Sequence, residues 1–291
     1  MDGILVVNKE KGCTSHDVVH KIKKLFGKKV GHTGTLDPNA TGVLPILIGK
    51  GTELSQFMIN HDKKYVATVQ LGVKTDTADV EGNVVEEKSV DLDLLTEENV
   101  RKVLNSLIGK QKQVPPMYSA IKINGKKLYE YARSGKTVDI PAREIEIYDL
   151  KLLDIDKENK LLQFEIYCSK GTYVRTVCET ISGALGTVGY MKELQRTMVG
   201  EFKIEDAITI EELNENIDNK AFLEKNIISI EKFFSVVNEE VIQDNKIKLF
   251  LNGVILDTKF NGLVRIYDTN KRFIGIGESI DGKLKRKIVL D

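Results

Sequence analysis

A chain of 291 residues, of which 41% are hydrophobic, is long enough to bury a sizeable core and predicts one or two domains. Its apolar runs are short and interrupted by charges, and residues 1–4 lack the features of a signal peptide, so the sequence argues against a membrane protein and predicts a cytoplasmic one. The 43 basic and 43 acidic residues cancel, which taken alone would argue against a nucleic-acid partner.

Charge is nevertheless distributed unevenly along the chain. Segment 110–143 carries eight basic residues against two acidic ones, and segment 205–240 carries ten acidic residues against three basic ones. Because these fields cancel only in the sum, the zero net charge does not exclude a local surface for a polyanion. A solvated basic face is the alternative interpretation.

The N-terminal part predicts a strand followed by a helix. Residues 3–9 form a short apolar run that is typical of a buried strand. Ser15 is a suitable N-cap for a helix whose apolar residues recur at helical spacing, and Gly27 can end that helix.

Cysteine and histidine positions raise the question of a metal site. Cys13, His16 and His20 resemble a metal triplet, since two histidines four residues apart share a helical face. A fourth ligand is missing, so an exposed helix face is preferred and no metal is expected. The three cysteines show no CxxC spacing, and Cys168 and Cys178 fall among apolar positions, which predicts buried free thiols.

A loop without helix or strand periodicity follows at residues 31–45. Its sequence is Gly-His-Thr-Gly-Thr-Leu-Asp-Pro-Asn-Ala-Thr-Gly-Val-Leu-Pro. Glycines permit positive φ and close backbone approach, and Pro38 pushes Asp37 out of the right-handed helical region. The stretch therefore predicts a shaped loop that presents a carboxylate, and an ordinary surface turn is the alternative.

The middle of the chain predicts a strand, a helix and an arm. Residues 64–71 alternate so that Tyr65 lies on the apolar side of a strand, and Thr96 can cap a helix that ends at Gly109. The basic segment 110–143 is rich in turn residues and yet contains several tyrosines. This composition predicts a projecting, partly ordered arm that grips a partner.

Two long strand patterns, 144–156 and 161–169, should pair as a hairpin. Thr172 then begins a predicted helix that places Tyr173 and Arg175 in its first turn. A cation at a helix N-terminus is locally unfavourable, so Arg175 is expected to pair with a carboxylate. A purely structural salt bridge is the alternative.

The residues after 236 change to short alternating apolar runs separated by Asn-Gly and Asp-Gly turns, which predict a small all-β module. Segment 241–291 carries ten basic residues against six acidic ones. The acidic tract before it is a predicted boundary, which divides the chain into domains 1–235 and 236–291.

Four motifs together carry a resemblance to a known family. They are the loop at 31–45, Lys-Tyr at 64–65, Thr-Asp-Thr-Ala-Asp at 75–79 and Cys-Ser-Lys-Gly-Thr-Tyr-Val-Arg at 168–175. In order and spacing they closely resemble the bacterial tRNA pseudouridine-55 synthases, the TruB family. The resemblance implies an α+β catalytic domain around a twisted, largely antiparallel sheet, with an arm at 110–143 and a C-terminal PUA-like RNA-binding domain.

The resemblance also implies a reaction on tRNA and a set of site residues. The enzyme would break the N1–C1′ bond of a T-loop uridine, rotate the uracil and rejoin it through C5, without a metal or a cofactor. Asp37 would be the catalytic carboxylate, and attack at C1′, addition at C6 and ribose deprotonation all stay open as its role. Tyr65, which could help to remove the C5 proton, and Arg175 would assist it. The expected substrate-binding residues are His32, Asp79, Tyr173 and Leu194.

Other functions remain as alternatives. A non-catalytic RNA binder or tRNA-folding chaperone would fit the PUA-like tail and the basic arm, and it could coexist with catalysis. A guide-RNA-dependent synthase subunit is a further alternative, although the long arm and small tail favour a standalone enzyme, expected to be a monomer. Glu53 stands where the family often has a lysine, which weakens any phosphate contact at that turn.

Overall fold

The computed structural model describes residues 1–119, 121–136 and 138–290, with Arg133 described by its backbone alone. Up to residue 229 the strands are β1 (Gly3–Lys9), β2 (Val30–His32), β3 (Thr41–Ile48), β4 (Lys63–Leu71), β5 (Val73–Thr75), β6 (Val84–Glu87), β7 (Gly109–Gln113), β8 (Lys122–Ile123), β9 (Lys126–Lys127), β10 (Arg143–Asp156), β11 (Leu161–Cys168), β12 (Gly189–Val199), β13 (Phe202–Lys203) and β14 (Ile227–Ser229). Strands β5 and β6 form one small hairpin, and β8 and β9 form another.

The remaining strands of this group build one large sheet in the order β14-β1-β3-β12-β4-β11-β10-β7, with β2 paired to β3 and β13 paired to β12. Neighbouring strands are antiparallel except β3 and β12, which run parallel through Gln195 opposite Thr41 and Arg196 opposite Gly42. The sheet confirms the predicted largely antiparallel architecture. The hairpin predicted at 144–169 is confirmed by β10 and β11.

Helices pack on the sheet and alternate with its strands along the sequence. They are α1 (Ser15–Phe26), α2 (Ser55–Met58), α3 (Glu97–Ser106), α4 (Leu128–Arg133), α5 (Val174–Ala184), α6 (Ile210–Glu215), α7 (Lys220–Asn226) and α8 (Ile230–Phe233). Within the described ranges, none of the helices is both long enough and apolar enough to pass through a bilayer.

The core lies on both faces of the sheet, as strand β1 shows. Leu5 and Val7 belong to a large apolar cluster that also contains buried residues of α1, α3 and α5. Ile4 and Val6 belong to a second cluster on the opposite face. Because successive side chains of a strand point to opposite faces, a strand covered on both sides needs a continuous apolar run, which is the pattern of residues 3–9.

Some predicted element ends were wrong by a few residues. Gly109 begins strand β7, whereas helix α3 already ends at Ser106. Helix α5 begins at Val174 with Tyr173 as its N-cap, so Thr172 precedes the helix. Gly27 ends α1 as predicted, with a left-handed φ of 60°. Cys168 and Cys178 are buried free thiols, as predicted.

The N-cap of helix α1 is Thr14, and the predicted cap at Ser15 was wrong. Thr14 Oγ1 accepts a hydrogen bond from Asp17 N at 3.1 Å, and Asp17 Oδ2 accepts one from Thr14 N at 2.8 Å. Ser15 Oγ instead accepts a hydrogen bond from Leu36 N at 2.9 Å. The start of α1 is therefore fastened to the loop that carries Asp37.

Replacing Thr14 by alanine removes the side-chain half of this capping box and leaves Asp17 N with only the backbone oxygen of residue 14 as an acceptor. We expect the free energy of unfolding to fall by about 1 kcal/mol, the usual cost of losing an N-cap hydroxyl. Urea unfolding followed by circular dichroism measures the change. Thr14→Ser keeps the hydroxyl and is the control, and equal stability of the alanine and serine variants would contradict the assignment.

The segment predicted as an arm is partly built into the sheet. Lys110 to Gln113 lie in β7, which pairs with β10 at the sheet edge. The residues that follow include the β8–β9 hairpin and helix α4, in which Leu128 is completely buried. Residues 120 and 137 of this segment lie outside the described residues.

A second sheet follows residue 237 and confirms the predicted β module. Its order is β15-β17-β18-β19-β16, formed by β15 (Asn238–Val241), β16 (Leu256–Asp257), β17 (Gly262–Tyr267), β18 (Phe273–Ile280) and β19 (Lys283–Val289). The module also contains a helix that the alternating pattern does not predict, α9 (Asp244–Leu251).

The second sheet packs against the first. Ile276 and Ile288 of the second sheet lie in the same apolar cluster as Ile4 and Val6 of β1. The division at 235/236 stays a prediction.

Candidate active site

A cleft of about 570 Å³ opens over strands β4 and β12, where the loop between β2 and β3 meets helix α5. This volume lies within the range of small-molecule sites. Among its lining residues are five predicted site residues, Asp37, Tyr65, Tyr173, Arg175 and Leu194. Residues from three of the four sequence motifs, those at 31–45, 64–65 and 168–175, therefore meet in this cleft together with Leu194.

Hydrogen bonds from buried groups hold the base of the Asp37 loop. Lys9 is completely buried, and its Nζ donates hydrogen bonds to three carbonyl oxygens, those of Pro38 at 3.0 Å, Cys13 at 2.7 Å and Glu10 at 2.8 Å. Ala40 N donates to Asp37 O at 3.1 Å, which closes a turn at Asp37-Pro38. The carboxylate thus projects from a loop that is fixed at its base.

Arg175 is the centre of the site. Its side chain is 5% exposed, and its Nε lies 3.2 Å from Asp37 Oδ2 while its Nη1 lies 3.3 Å from Asp79 Oδ2. The guanidinium also donates to the carbonyl oxygens of Thr77 at 3.2 Å and Tyr118 at 2.9 Å. The expected pairing of Arg175 with a carboxylate is confirmed, and the arginine joins the loop, the turn and the arm segment.

Asp79 is not among the residues that line this cleft, and it contacts Arg175 at Nη1, whereas Asp37 contacts Nε. Its Oδ1 accepts hydrogen bonds from Thr77 Oγ1 at 2.6 Å and from Glu81 N at 3.1 Å. These bonds fix the carboxylate in the tight turn between β5 and β6. Asp79 is thereby positioned to orient the guanidinium, and it lines a smaller cavity beside Asp37 and Leu194.

Tyr65 and Tyr173 supply aromatic surface to the cleft. Burial raises the pKa of Tyr65 to about 12, so its hydroxyl is neutral at pH 7. A neutral phenol favours the stacking role implied by the resemblance over removal of a proton. Tyr173 is held through its backbone by Gln113, whose side chain accepts from Tyr173 N at 2.8 Å and donates to Tyr173 O at 3.1 Å.

His32, like Asp79, is a predicted site residue that does not line this cleft. It ends strand β2, is half-buried, and its Nδ1 has no hydrogen-bond partner among the described residues. Burial lowers the pKa of His32, and the nearby charges of Arg196 and His16 lower it further. At neutral pH the imidazole is therefore uncharged.

The cleft is electropositive. Besides the buried Arg175 and Arg196, its described lining includes the more accessible Lys63, Arg143 and Lys170, against the acidic Asp37 and Glu144. Lys63 adjoins the motif at 64–65, Lys170 lies within that at 168–175 and Arg143 ends the basic segment, whereas nothing in the sequence singles out Arg196. Ser119 also lines the cleft, is 5% exposed, and its hydroxyl has no partner among the described residues. Such a surface suits a polyanion.

The candidate metal triplet has no support in the geometry. His16 and His20 lie on the exposed face of α1, and Cys13 Sγ donates to Glu10 O at 3.4 Å. Throughout the described part of the chain, histidine, cysteine and carboxylate side chains form no group of three that could hold a metal ion.

The ionisation of Asp37 depends on four opposing influences. Protein atoms crowd the carboxylate, although 41% of its side chain is exposed. This partial burial raises the pKa of Asp37, and the negative charge of Asp79 adds to the rise, whereas the positive charges of Arg175 and Lys9 oppose it. The carboxylate is therefore easier to protonate than an ordinary aspartate.

These opposing effects on the pKa of Asp37 predict where the reaction rate falls on the acid side of the pH profile. If ionised Asp37 is required, the single-turnover rate should fall with decreasing pH, at a pH above the ordinary aspartate value of 3.8. Asp79→Asn removes a negative charge, which lowers the pKa of Asp37 and should move the acid limb to lower pH. Asp76→Asn, on the same turn but bonded to Asn83, is the matched control. A limb that moves to higher pH in Asp79→Asn would contradict this explanation.

Three family models match successive parts of the chain. The model described as TruB family pseudouridylate synthase (N terminal domain) matches residues 22–174. The model described as tRNA pseudouridylate synthase B C-terminal domain matches residues 175–235, and that described as Pseudouridine synthase II TruB, C-terminal, matches residues 241–290. The first two models together include every predicted site residue.

Relatives extend the likeness over the whole chain. A Bacillus cereus protein named tRNA pseudouridine synthase B is 43% identical over 96% of this chain and 92% of its own length. The protein of that name from Caldanaerobacter subterraneus subsp. tengcongensis is 44% identical over 99% of this chain and 98% of its own. A chain in a crystal structure of a Cbf5-Nop10-Gar1 complex is 26% identical with a TM-score of 0.65, over 96% of this chain and 78% of that chain.

Proposed function

The chain belongs to the TruB family of pseudouridylate synthases, and from this premise we propose that it converts uridine 55 in the T-loop of tRNA to pseudouridine. The observation that carries the proposal is the ion pair between Asp37 and the buried Arg175 at the base of an electropositive cleft, beside Tyr65. This arrangement presents one carboxylate to a nucleotide whose phosphates the surrounding cations attract.

The reaction breaks the N1–C1′ bond, turns the uracil while it stays bound, and forms a C5–C1′ bond. The C5 proton leaves and N1 gains one, so no atoms are exchanged overall. Asp37 acts at C1′, at C6 or on a ribose proton, and each role needs an ionised carboxylate with a fixed direction. Arg175 supplies both requirements, because it favours the charged form and holds one carboxylate oxygen.

The remaining cleft residues bind the nucleotide. Tyr65 stacks on the uracil, Leu194 forms the apolar wall beside it, and Tyr173 lines the opposite side. A base inside a folded T-loop must first be extruded, which costs a few kcal/mol in lost stacking. His32, uncharged and next to the loop, is proposed to occupy the space that the base leaves.

Recognition of the tRNA should depend mainly on RNA shape and backbone. The segment 110–143 is proposed to fold over the T-arm, and the C-terminal module 236–291 to bind RNA as a PUA-like domain. Contacts of lysine and arginine with phosphates release counterions, so affinity should fall steeply with salt. We infer that the protein acts as a monomer in the cytoplasm.

Tritium release tests the function directly. A tRNA transcript made with 5-tritiated uridine loses tritium to water when C5 becomes bonded to C1′. The purified protein should release one equivalent per tRNA, and a transcript with cytidine at position 55 should release none. Release from both transcripts would overturn the site assignment, and release from neither would overturn the activity.

A further inference from the structure

Arg196 is a buried cation that none of the predicted roles uses. It lies on β12 directly opposite Tyr65 of β4 and beside Gly42 of β3. Its side chain is among the largest that are fully buried, with 1% of the residue exposed. Arg196 therefore lies where β3, the strand after the Asp37 loop, meets β12 and β4, the two strands beneath the cleft.

The guanidinium joins both ends of the Asp37 loop. Its Nη2 donates to Gly34 O at 2.9 Å, three residues before Asp37, and its Nε donates to Val43 O at 2.8 Å, after the loop. Tyr65 stands directly opposite Arg196 across β4 and β12. One rigid group thus holds both ends of the carboxylate loop beside the strand position of the aromatic ring.

Glycines make this close contact achievable. A Cβ added to Gly42 would lie 2.1 Å from Arg196 O, and one added to Gly34 would lie 3.4 Å from Arg196 Nη1. Both glycines also have positive φ, 104° and 81°. A side chain at Gly42 would collide with the backbone of Arg196 and separate β3 from β12, whereas one at Gly34 would touch the guanidinium at an ordinary distance but strain the backbone.

Stability alone does not account for a charge at this place. Among the described residues Arg196 forms no ion pair with a carboxylate, and its neighbours Lys63, His32 and Lys9 are themselves basic. Removing a cation from water costs several kcal/mol, and an apolar residue of similar volume is often at least as stabilising. A guanidinium here is better explained by what its fork of donors positions.

We propose that Arg196 is a positioning residue for the isomerisation, which holds the Asp37 loop through Gly34 and Val43 in a fixed place relative to Tyr65, the residue opposite it on β4. The inference rests on the proposed function. Arg196 does not touch the reacting atoms. It determines where the carboxylate and the stacking ring stand when the uridine enters between them, and a displacement of about 1 Å in such a site can cost about 100-fold in rate.

The decisive variants are Arg196→Lys and Arg196→Met. Lysine keeps the charge but has no planar fork and cannot hold the two carbonyl oxygens together in the same geometry. We expect the single-turnover rate at saturating enzyme to fall about 100-fold in both variants, while the Kd for tRNA changes less than about threefold. Restoration of the rate by lysine would show that charge alone matters and would overturn the proposal. Proportional weakening of tRNA binding would overturn it as well.

Arg101→Lys is the control. Arg101 lies on helix α3, pairs with Glu97 and is not among the residues that line the cleft. Its single-turnover rate should equal that of the unmodified protein. If the Arg196 variants do not fold, Gly34→Ala strains the backbone at a carbonyl that Arg196 holds, because φ is positive there, and a rate within threefold of normal would count against the proposal.

The unmodified protein is assayed beside the variants. An inactive unmodified protein would refute the proposed function, whereas an active one with fully active, folded Arg196→Lys would refute only the positioning role. A purely structural role predicts a lower melting temperature with an unchanged rate in the folded fraction, and that result also counts against positioning.

Discussion

Asp37→Asn should abolish tritium release, with a loss of at least about 10⁴-fold in the single-turnover rate, comparable to the removal of a reacting group in other enzymes. Asparagine has nearly the same shape and still offers an oxygen to Arg175, so the loop should keep its conformation. It cannot attack carbon or take up a proton. The Kd for tRNA should therefore stay within about threefold of normal, because the cations that attract the RNA are unchanged.

Asp154→Asn is the control, since Asp154 is exposed on β10 and is not among the residues that line the cleft. Substantial turnover by Asp37→Asn would contradict the assigned mechanism. The same variant separates the chaperone alternative from catalysis. If Asp37→Asn still restores the correct fold of a misfolded tRNA, catalysis and chaperone activity are independent. Loss of both activities counts against a chaperone role.

Arg175→Met should reduce the rate by about 10²- to 10³-fold, which corresponds to the removal of one preorganised electrostatic contact. Two carboxylates, Asp37 and Asp79, would then face each other without their shared cation. Their repulsion raises the pKa of Asp37 further, so the acid limb of the pH profile should move to higher pH, opposite to its shift in Asp79→Asn.

A folded protein is needed for this comparison, because breaking a buried ion pair costs about 3–5 kcal/mol of stability. Circular dichroism should establish that Arg175→Met is folded at the assay temperature, and Arg175→Lys serves as the milder variant. Arg101→Met removes the exposed Arg101–Glu97 pair of helix α3 and is the control for loss of a surface charge. An acid limb that stays in place would show that Arg175 does not control the ionisation of Asp37.

Local patterns predicted the parts of the site that depend on neighbouring residues. The Asp-Pro loop between glycines predicted a presented carboxylate, and the helix N-terminus predicted a carboxylate partner for Arg175. That Arg175 would pair with Asp37 followed only from the family resemblance, and its second pair, with Asp79, was not predicted. The strands predicted at 64–71 and 161–169 are present because period-two alternation is a short-range signal. The predicted loop at 31–45 was wrong at both ends, which lie in β2 and β3.

The contacts that fasten the site could not be predicted, since they are made to backbone carbonyls far away in sequence. Arg196 meets Gly34 and Val43 only because β3 and β12 pair in parallel, an arrangement without a local signature. Lys9 resembles an ordinary charge at the end of a strand, yet it is buried under Pro38. Carbonyl acceptors exist at every residue, so sequence does not reveal which of them a buried cation will bind.

The apolar cluster that joins Ile4 and Val6 to Ile276 and Ile288 has a consequence for biosynthesis. Strand β1 leaves the ribosome before the residues of the second module that help to cover one of its faces. Its edge partner β14 also emerges much later, through Ile4 opposite Ile228. The nascent chain therefore carries a partly uncovered apolar face and an open strand edge until these segments have been made, which are the features that chaperones recognise.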